Sequence, residues 1–149
     1  MREFKFRGMG INGGWHIGHL SYSPIKTHST PDVGYYISNS KGCPWAYQVR
    51  PDTIGETTGL LDKNGKEVYE GDILKSLHFV EAIGKKHYLY HVVEWSDGLM
   101  GWFARNILSS NHDTGNGNIQ LFAYVRNCPE IEIVGNIFEN VELLKDDER

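Results

Sequence analysis

The stretch TGLLDKNGKEVYEGDIL at residues 58–74 constrains the fold of this chain more than any other feature. The Asn64-Gly65 pair at its centre is typical of a two-residue hairpin turn, in which both central residues take a positive φ. Residues 60–61 and 67–69 on either side carry the apolar positions of two short strands. We therefore predict a β-hairpin in this stretch.

A second turn is predicted directly after this hairpin. Gly71 can adopt a φ that other residues reach only with strain, so the chain can change direction there. We expect a new strand to begin near Asp72. We also expect Asp62, Lys63 and Lys66 to keep the hairpin tip in water.

Short strands separated by turn residues are predicted along most of the chain. Residues 4–8 and 15–22 flank an Asn-Gly-Gly turn, and residues 35–37 and 45–49 flank a polar linker, so two N-terminal hairpins are expected. Five further strands are predicted at residues 72–80, 87–95, 102–107, 119–125 and 131–134. Asn140 is expected to cap a final helical turn.

The motif residues resemble the signature of the YopX family, small proteins encoded by bacteriophages and prophages that have no established activity. The family motif corresponds here to Thr58, Gly59, Leu60, Asp62, Asn64, Gly65, Tyr69, Glu70, Gly71 and Asp72, and to Gly135 and Asn136 near the end of the chain. The opening residues 1–7 and the closing residues 132–140 also fit. The resemblance therefore covers nearly the whole chain.

The resemblance implies an all-β fold that contains an SH3-like small β-barrel. The barrel is expected at residues 57–149 and ends in a short helical turn, while residues 1–56 are expected to add an N-terminal β-hairpin layer. Six side chains at alternating strand positions are expected to point into the barrel together: Ile73, Val93, Trp95, Phe103, Leu121 and Ile133.

Composition limits the classes of function and the location. The formal net charge is −4, which argues against broad binding to phosphate backbones, so nucleic acid is not the expected partner. No apolar run approaches the ~20 residues of a membrane helix, and the first residues alternate charged and aromatic side chains, so we expect a protein of the bacterial host cytoplasm. Cys43 and Cys128 are expected to stay reduced.

Histidines are the first candidates for chemistry, since the chain has seven of them. His87 and His91 would lie about 13 Å apart on one face of a strand, too far to share a metal ion. His16 and His19 would point to opposite faces of their strand. We therefore predict no metal site and no cofactor.

Carboxylates are the second candidates. In an extended segment, Glu70 and Asp72 would lie about 6 to 7 Å apart on one side, as an acid and base pair can. The alternative, which we favour, is that Asp72 accepts amide hydrogen bonds around the Gly71 turn while Glu70 stays solvated. The common motifs of hydrolases and nucleotide-binding proteins do not occur in the sequence. We therefore predict that the protein is not an enzyme.

Aromatic and apolar side chains are the third candidates. Leu99 and Met100 lie at the tip of a predicted loop between Trp95 and Trp102, where a turn is normally polar. The tip either contacts a partner or folds back onto its own barrel, and the sequence favours folding back. Exposed aromatic rings would also suit base stacking.

Two functions from different classes remain open. The preferred one is an interaction module, encoded by a phage or prophage, that binds a protein of the phage or host. A second copy of the chain is a further candidate partner. The alternative is association with single-stranded nucleic acid through aromatic side chains and local cations such as Lys85, Lys86 and Arg105. An enzyme that uses Glu70 and Asp72 ranks below both.

Overall fold

The computed structural model describes residues 3–39, 45–80, 85–107 and 118–145, with the backbone alone at 78–80, 85–87 and 118. The chain divides into two compact units, Met1–Thr57 and Thr58–Arg149. Both are built on antiparallel strands, which confirms the all-β prediction.

The first unit is a sheet of short antiparallel strands. Its elements are β1 (Phe6–Met9), β2 (Trp15–Ser23), β3 (Gly34–Ser38), β4 (Tyr47–Val49), a 3-10 turn (Pro51–Thr53) and the first part of β5 (Gly55–Leu61). The strands lie in the order β4-β3-β2-β1-β5. β1 pairs with β2 and β3 pairs with β4, so both predicted N-terminal hairpins are confirmed.

A glycine in β1 allows the core of this unit to close. Ile37 and Val49 are almost completely buried. A Cβ added at Gly8 would lie 3.1 Å from Ile37 Cδ1 and 3.1 Å from Val49 Cβ. Because Gly8 has no side chain, Ile37 of β3 and Val49 of β4 can pack directly against the backbone of β1.

The second unit combines a hairpin with a five-stranded sheet. Its elements are the end of β5, β6 (Glu67–Tyr69), β7 (Asp72–Val80), β8 (Lys85–Ser96), β9 (Gly101–Asn106), β10 (Asn118–Gln120), α1 (Leu121–Asn127), β11 (Glu132–Asn136) and a 3-10 turn (Val141–Leu144). The five strands lie in the order β10-β9-β8-β7-β11. The predicted strands at 72–80, 87–95, 102–107 and 131–134 correspond to β7, β8, β9 and β11.

The predicted strand at residues 119–125 is wrong, because α1 occupies most of it. Leu121, Tyr124, Val125 and Cys128 follow the i, i+3, i+4, i+7 spacing of a helix. Leu121 and Tyr124 are buried in the core, and Val125 and Cys128 pack against it. The apolar face of a helix, and not a fifth barrel strand, therefore covers this side of the sheet.

The six side chains expected inside a barrel do not share one core. Val93 and Leu121 belong to the core, and Ile133 packs against it. Ile73 is fully buried but pairs with Val92, whereas its neighbour Leu74 belongs to the core. Because successive side chains of a strand point to opposite faces, Ile73 lies on the other face of the sheet.

Trp95 and Phe103 also depart from that prediction. Trp95 is 41% exposed at the end of β8. Phe103 is half-buried, and alternation places it on the face opposite the buried Ala104. In the described part of the chain neither sheet closes on itself, so an SH3-like closure stays a prediction.

The hairpin between β5 and β6 has a different turn from the one predicted. Gly65 has the expected positive φ of +77°, but Asn64 does not take a positive φ. The Gly65 amide donates to the Asp62 carbonyl at 3.0 Å, and the Asp62 amide donates to the Lys66 carbonyl at 2.9 Å. Lys66 thus lies opposite Asp62, and the loop between them has three residues, with glycine in the left-handed position.

The expected helical turn is present at Val141–Leu144, but Asn140 does not cap it through its side chain. Its side-chain oxygen accepts the Asn136 amide at 3.1 Å instead. Within the described ranges, no helix is long and apolar enough to cross a membrane.

Candidate protein-binding surface

The hairpin between β8 and β9 ends in a rigid pair of tryptophans. Trp95 and Trp102 lie directly opposite each other, and their rings meet edge to face with centroids 5.1 Å apart. The Trp95 indole donates to the Asp97 carboxylate at 2.9 Å. Aromatic pairs of this geometry add to stability beyond their buried area, so this contact stabilises the base of the tip.

The tip itself presents two large apolar side chains to solvent. Leu99 is 66% exposed and Met100 is 77% exposed. The tip therefore does not fold back onto the sheet, contrary to the interpretation that the sequence favours. Of the two alternatives, the exposed tip is the one that a partner can reach.

The backbone of this tip is strained. Met100 has a φ of +50°, and among the described residues other than glycine it alone takes a positive φ. Such a conformation costs roughly 1–2 kcal/mol for a residue with a side chain. In addition, the buried indole N–H of Trp102 has no hydrogen-bond partner among the described residues. The strained φ of Met100 lowers stability, which is typical of segments kept for a function other than folding.

A second cluster, of polar side chains, is buried in the sheet beneath α1. The Tyr124 hydroxyl lies 2.6 Å from Ser76 Oγ and 2.9 Å from His91 Nδ1. All three residues are buried. Burial lowers the pKa of His91 to about 4 and raises the pKa of Tyr124 to about 12, so both side chains are neutral near pH 7. A buried, neutral and mutually satisfied cluster is a structural network.

Glu70 and Asp72, the two carboxylates considered for acid and base chemistry, do not lie in one extended segment. Glu70 and Gly71 make a turn, so Glu70 and Asp72 do not project from one side of a strand. Asp72 is buried, and its Oδ2 accepts the Tyr69 amide at 2.8 Å. Glu70 is half-buried, where full solvation was expected.

Two histidines, His16 and His91, have packing roles, whereas His19 and His28 are exposed. The His16 ring stacks on Tyr47, with centroids 4.1 Å apart and an angle of 10° between the planes. His87 and His91 both lie in β8, as the strand prediction requires. Among the residues described, no three His, Cys, Asp or Glu side chains are grouped to hold a metal ion.

Of the three cationic side chains proposed to bind nucleic acid, the structure describes that of Arg105. Arg105 makes a bidentate salt bridge to Glu94, with three contacts of 2.8 to 3.0 Å. Its charge is therefore already neutralised by a neighbour. The side chains of Lys85 and Lys86 lie outside the described residues, as does Cys43, while the Cys128 thiol is free and half-buried.

Comparison with known proteins assigns the chain to a family. The sequence profile described as "YopX protein" matches residues 5–145. The chain belongs to the YopX family. The crystal structure of protein EF1440 from Enterococcus faecalis has a similar fold, with a TM-score of 0.51 and 22% identity over 97% of this chain and 100% of that chain. No curated protein matches significantly.

The structure places the YopX motif residues in two turns, at residues 62–65 and 70–71, and in the strand segments beside turns. Asp62, expected in water, is buried. Its Oδ1 accepts the amides of Asn64 and Lys66 at 2.8 and 2.9 Å, and its Oδ2 accepts the amide of Ile133 at 3.1 Å. Desolvation raises the pKa of this carboxyl, but the three backbone hydrogen bonds outweigh it, so the pKa is lowered. Asp62 thus fastens the hairpin to β11.

Other YopX motif residues act in the same way at the start of the hairpin. The Thr58 hydroxyl donates to the Val68 carbonyl at 2.9 Å and accepts the Leu60 amide at 3.2 Å. Gly59 has a φ of +76°, and Leu60 packs against the core. These contacts hold β5 against β6.

The second part of the YopX motif shapes the end of β11. The Asn136 side-chain oxygen accepts the amides of Phe138 and Glu139, both at 3.0 Å. A Cβ at Gly135 would collide with the Asn140 side chain. The sequence identified these positions by resemblance, whereas the packing between them appears only in the structure.

The Asp62 contacts give a prediction about stability. Asp62→Asn retains one carbonyl oxygen but turns an amide donor toward at least one of the three backbone donors. We expect a loss of about 1–2 kcal/mol in urea unfolding at pH 7. Asp97→Asn is the matched control, because an exposed amide oxygen can still accept the Trp95 indole. An equal loss in both variants would contradict a special role for Asp62.

Proposed function

We propose that this chain is a non-enzymatic interaction module, encoded by a phage or prophage, that binds a protein of the phage or of its bacterial host in the cytoplasm. The observation that supports this proposal is the β8–β9 tip, where Leu99 and Met100 are held in solvent on a strained turn. The partner surface implied by such a tip is a shallow apolar pocket.

The chemistry of the tip suits a protein surface. Leucine and methionine offer no group that binds phosphate, and the methionine thioether binds only soft metal ions such as Cu(I). Burying the two side chains in a partner removes apolar area from water. Methionine also adapts its shape to irregular pockets. Trp95, partly exposed at the base of the tip, extends the apolar area. Tryptophan is enriched among the residues that anchor the centre of an interface, and Trp95 supplies one beside the apolar tip.

Affinity capture from phage-infected cells tests the proposal. The tagged wild-type chain and the Leu99→Ser/Met100→Ser variant are compared by mass spectrometry, with and without nuclease. Ile25→Ser/Val33→Ser is the matched control, because it removes two exposed apolar side chains of the first unit. We expect a nuclease-resistant partner whose recovery falls about tenfold only in the tip variant. Equal recovery with both variants would contradict the proposal.

A single substitution separates binding from folding at this tip. Met100→Gly removes the side chain and also relieves the positive φ, which glycine adopts without strain. We expect the melting temperature to stay the same or rise slightly while the partner is lost. A variant that loses the partner only because it unfolds would instead melt at a lower temperature.

Single-stranded nucleic acid is the alternative partner. The Arg105–Glu94 salt bridge counts against it, since one of the three cations proposed for phosphate contacts is already paired. If the chain is an interaction module, a titration with mixed oligonucleotides should leave its tryptophan fluorescence unchanged. Saturable quenching that weakens with salt and disappears in Lys85→Glu/Lys86→Glu would favour the alternative. Self-association is a third outcome, which sedimentation of the purified chain measures.

A further inference from the structure

The turn between β1 and β2 has the same hydrogen-bond pattern as the hairpin loop between β5 and β6. The Gly13 amide donates to the Gly10 carbonyl at 2.9 Å, and the Gly10 amide donates to the Gly14 carbonyl at 2.8 Å. Gly13 has a positive φ of +89°, as the glycine of the other loop does. In each turn this glycine directly follows an exposed asparagine. The chain therefore has Asn-Gly pairs in two matched turns, and a further pair, at residues 116–117, lies outside the described residues.

The two turns differ in the side chain at their first residue. In the β5–β6 loop, the buried Asp62 carboxylate accepts the amide of Asn64 and two further backbone amides. Opening this loop leaves a buried carboxylate without its donors, which costs free energy. Gly10 takes the place of Asp62 in the β1–β2 turn and has no side chain. The Asn12 amide has no hydrogen bond to any described residue, so we expect the β1–β2 turn to open more often.

An Asn-Gly pair can modify itself when its turn opens, because glycine has no Cβ to hinder an attack on the asparagine side chain. The glycine nitrogen loses its proton and bonds to the side-chain carbonyl carbon of the asparagine. The side-chain nitrogen takes up a proton and leaves as ammonia. Water then adds to either carbonyl carbon of the succinimide ring and opens it to aspartate or isoaspartate. The reaction consumes one water molecule and requires no oxidant, reductant or cofactor.

We propose that Asn12 is a site of spontaneous modification, at which the β1–β2 turn gains a carboxylate and, in the isoaspartate form, one more backbone carbon. Asn64 is protected from the same reaction by Asp62. The protected pair belongs to the YopX motif, where an additional backbone carbon would displace the amides that Asp62 binds. The modification therefore alters the first hairpin and leaves the motif hairpin fastened to β11. This site is independent of the β8–β9 contact, and either proposal can fail without the other.

Peptide mapping of the purified chain during incubation at neutral pH tests the proposal. Mass spectrometry follows, in the two peptides that contain Asn12 and Asn64, the mass increase that accompanies replacement of an amide by a carboxylic acid. We expect Asn12 to react about tenfold faster than Asn64 in the folded protein, which is the factor that the contacts of one buried carboxylate supply. In urea the two rates should become similar, because both asparagines then precede glycine in an unfolded chain.

Asp62→Ala tests the source of the protection, and Asn12 serves as the internal standard in the same molecule. We expect the rate at Asn64 to rise about tenfold in this variant while the rate at Asn12 stays the same. The comparison within the wild-type chain requires no variant, so it decides the proposal even if Asp62→Ala does not fold. Equal rates at Asn12 and Asn64 in the folded wild type would overturn the proposal. So would an unreactive Asn12 in the folded chain under conditions in which the unfolded chain reacts.

Discussion

Gly71→Val is expected to lower the stability of the protein by about 3 kcal/mol or more, and the melting temperature by about 10 °C. Gly71 has a φ of +83°, which a β-branched residue reaches only with strain. A Cβ there would also lie 3.1 Å from Phe138 Cε2 and 3.4 Å from Ile137 Cγ1. Strain and crowding therefore act together.

The backbone around Gly71 leaves little room to relax. Its amide donates to the Val93 carbonyl at 2.9 Å, and its carbonyl accepts the Ile137 amide at 2.9 Å. Gly98→Val is the matched control, because a Cβ at Gly98 meets no atom within 4 Å and its φ is outside the left-handed region. Thermal unfolding of both variants measures the difference. Equal shifts in melting temperature would show that the Gly71 conformation is not what limits stability.

Acid is expected to destabilise the protein through His91. Its pKa is about 4 in the folded protein, where burial disfavours the charged form, against 6.5 for an ordinary histidine. Between these values the unfolded chain binds a proton that the folded chain does not. The contribution of His91 is therefore fully present above pH 6.5 and is lost as the pH falls toward 4, up to about 3 kcal/mol.

Urea unfolding across this pH window measures the effect. His91→Gln should be less stable than the wild type at pH 7, because the contact with Tyr124 changes, but it should lose less stability on acidification. Tyr124→Phe removes the hydroxyl and keeps His91, so it should lower stability at every pH and retain the slope. If the wild type and His91→Gln lose the same free energy between pH 6.5 and 4, His91 does not titrate as described.

Much of the fold could be predicted because its signals are local. The N-terminal hairpins, the start of β7 at Asp72 and the positive φ of Gly65 and Gly71 depend on residues close together in sequence. Steric limits on φ and the alternation of strand side chains act over a few residues, so a pattern suffices to predict them. The helical spacing of Leu121 and Tyr124 was also in the sequence, but aromatic and β-branched neighbours favoured a strand.

The sequence predicted the position of the candidate surface but not its exposure. The sequence placed Leu99 and Met100 at a loop between two strands, but their exposure depends on whether the tip meets its own sheet. The open cleft lined by Tyr22 and Trp45 was not predicted, because its lining comes from β2, β3 and the residues just before β4. Exposure and clefts are properties of packing, and local patterns do not encode them.

The sequence by itself determined that this chain belongs to the YopX family, is built from antiparallel strands and turns at Gly65 and Gly71. Only the tertiary structure decided what the motif does. The contact of Asp62 with Ile133 spans 71 residues, and that of Tyr124 with Ser76 spans 48. Such contacts form only when distant segments pack together. Burial then removes the water that would otherwise satisfy each polar group, so the buried groups bond to one another.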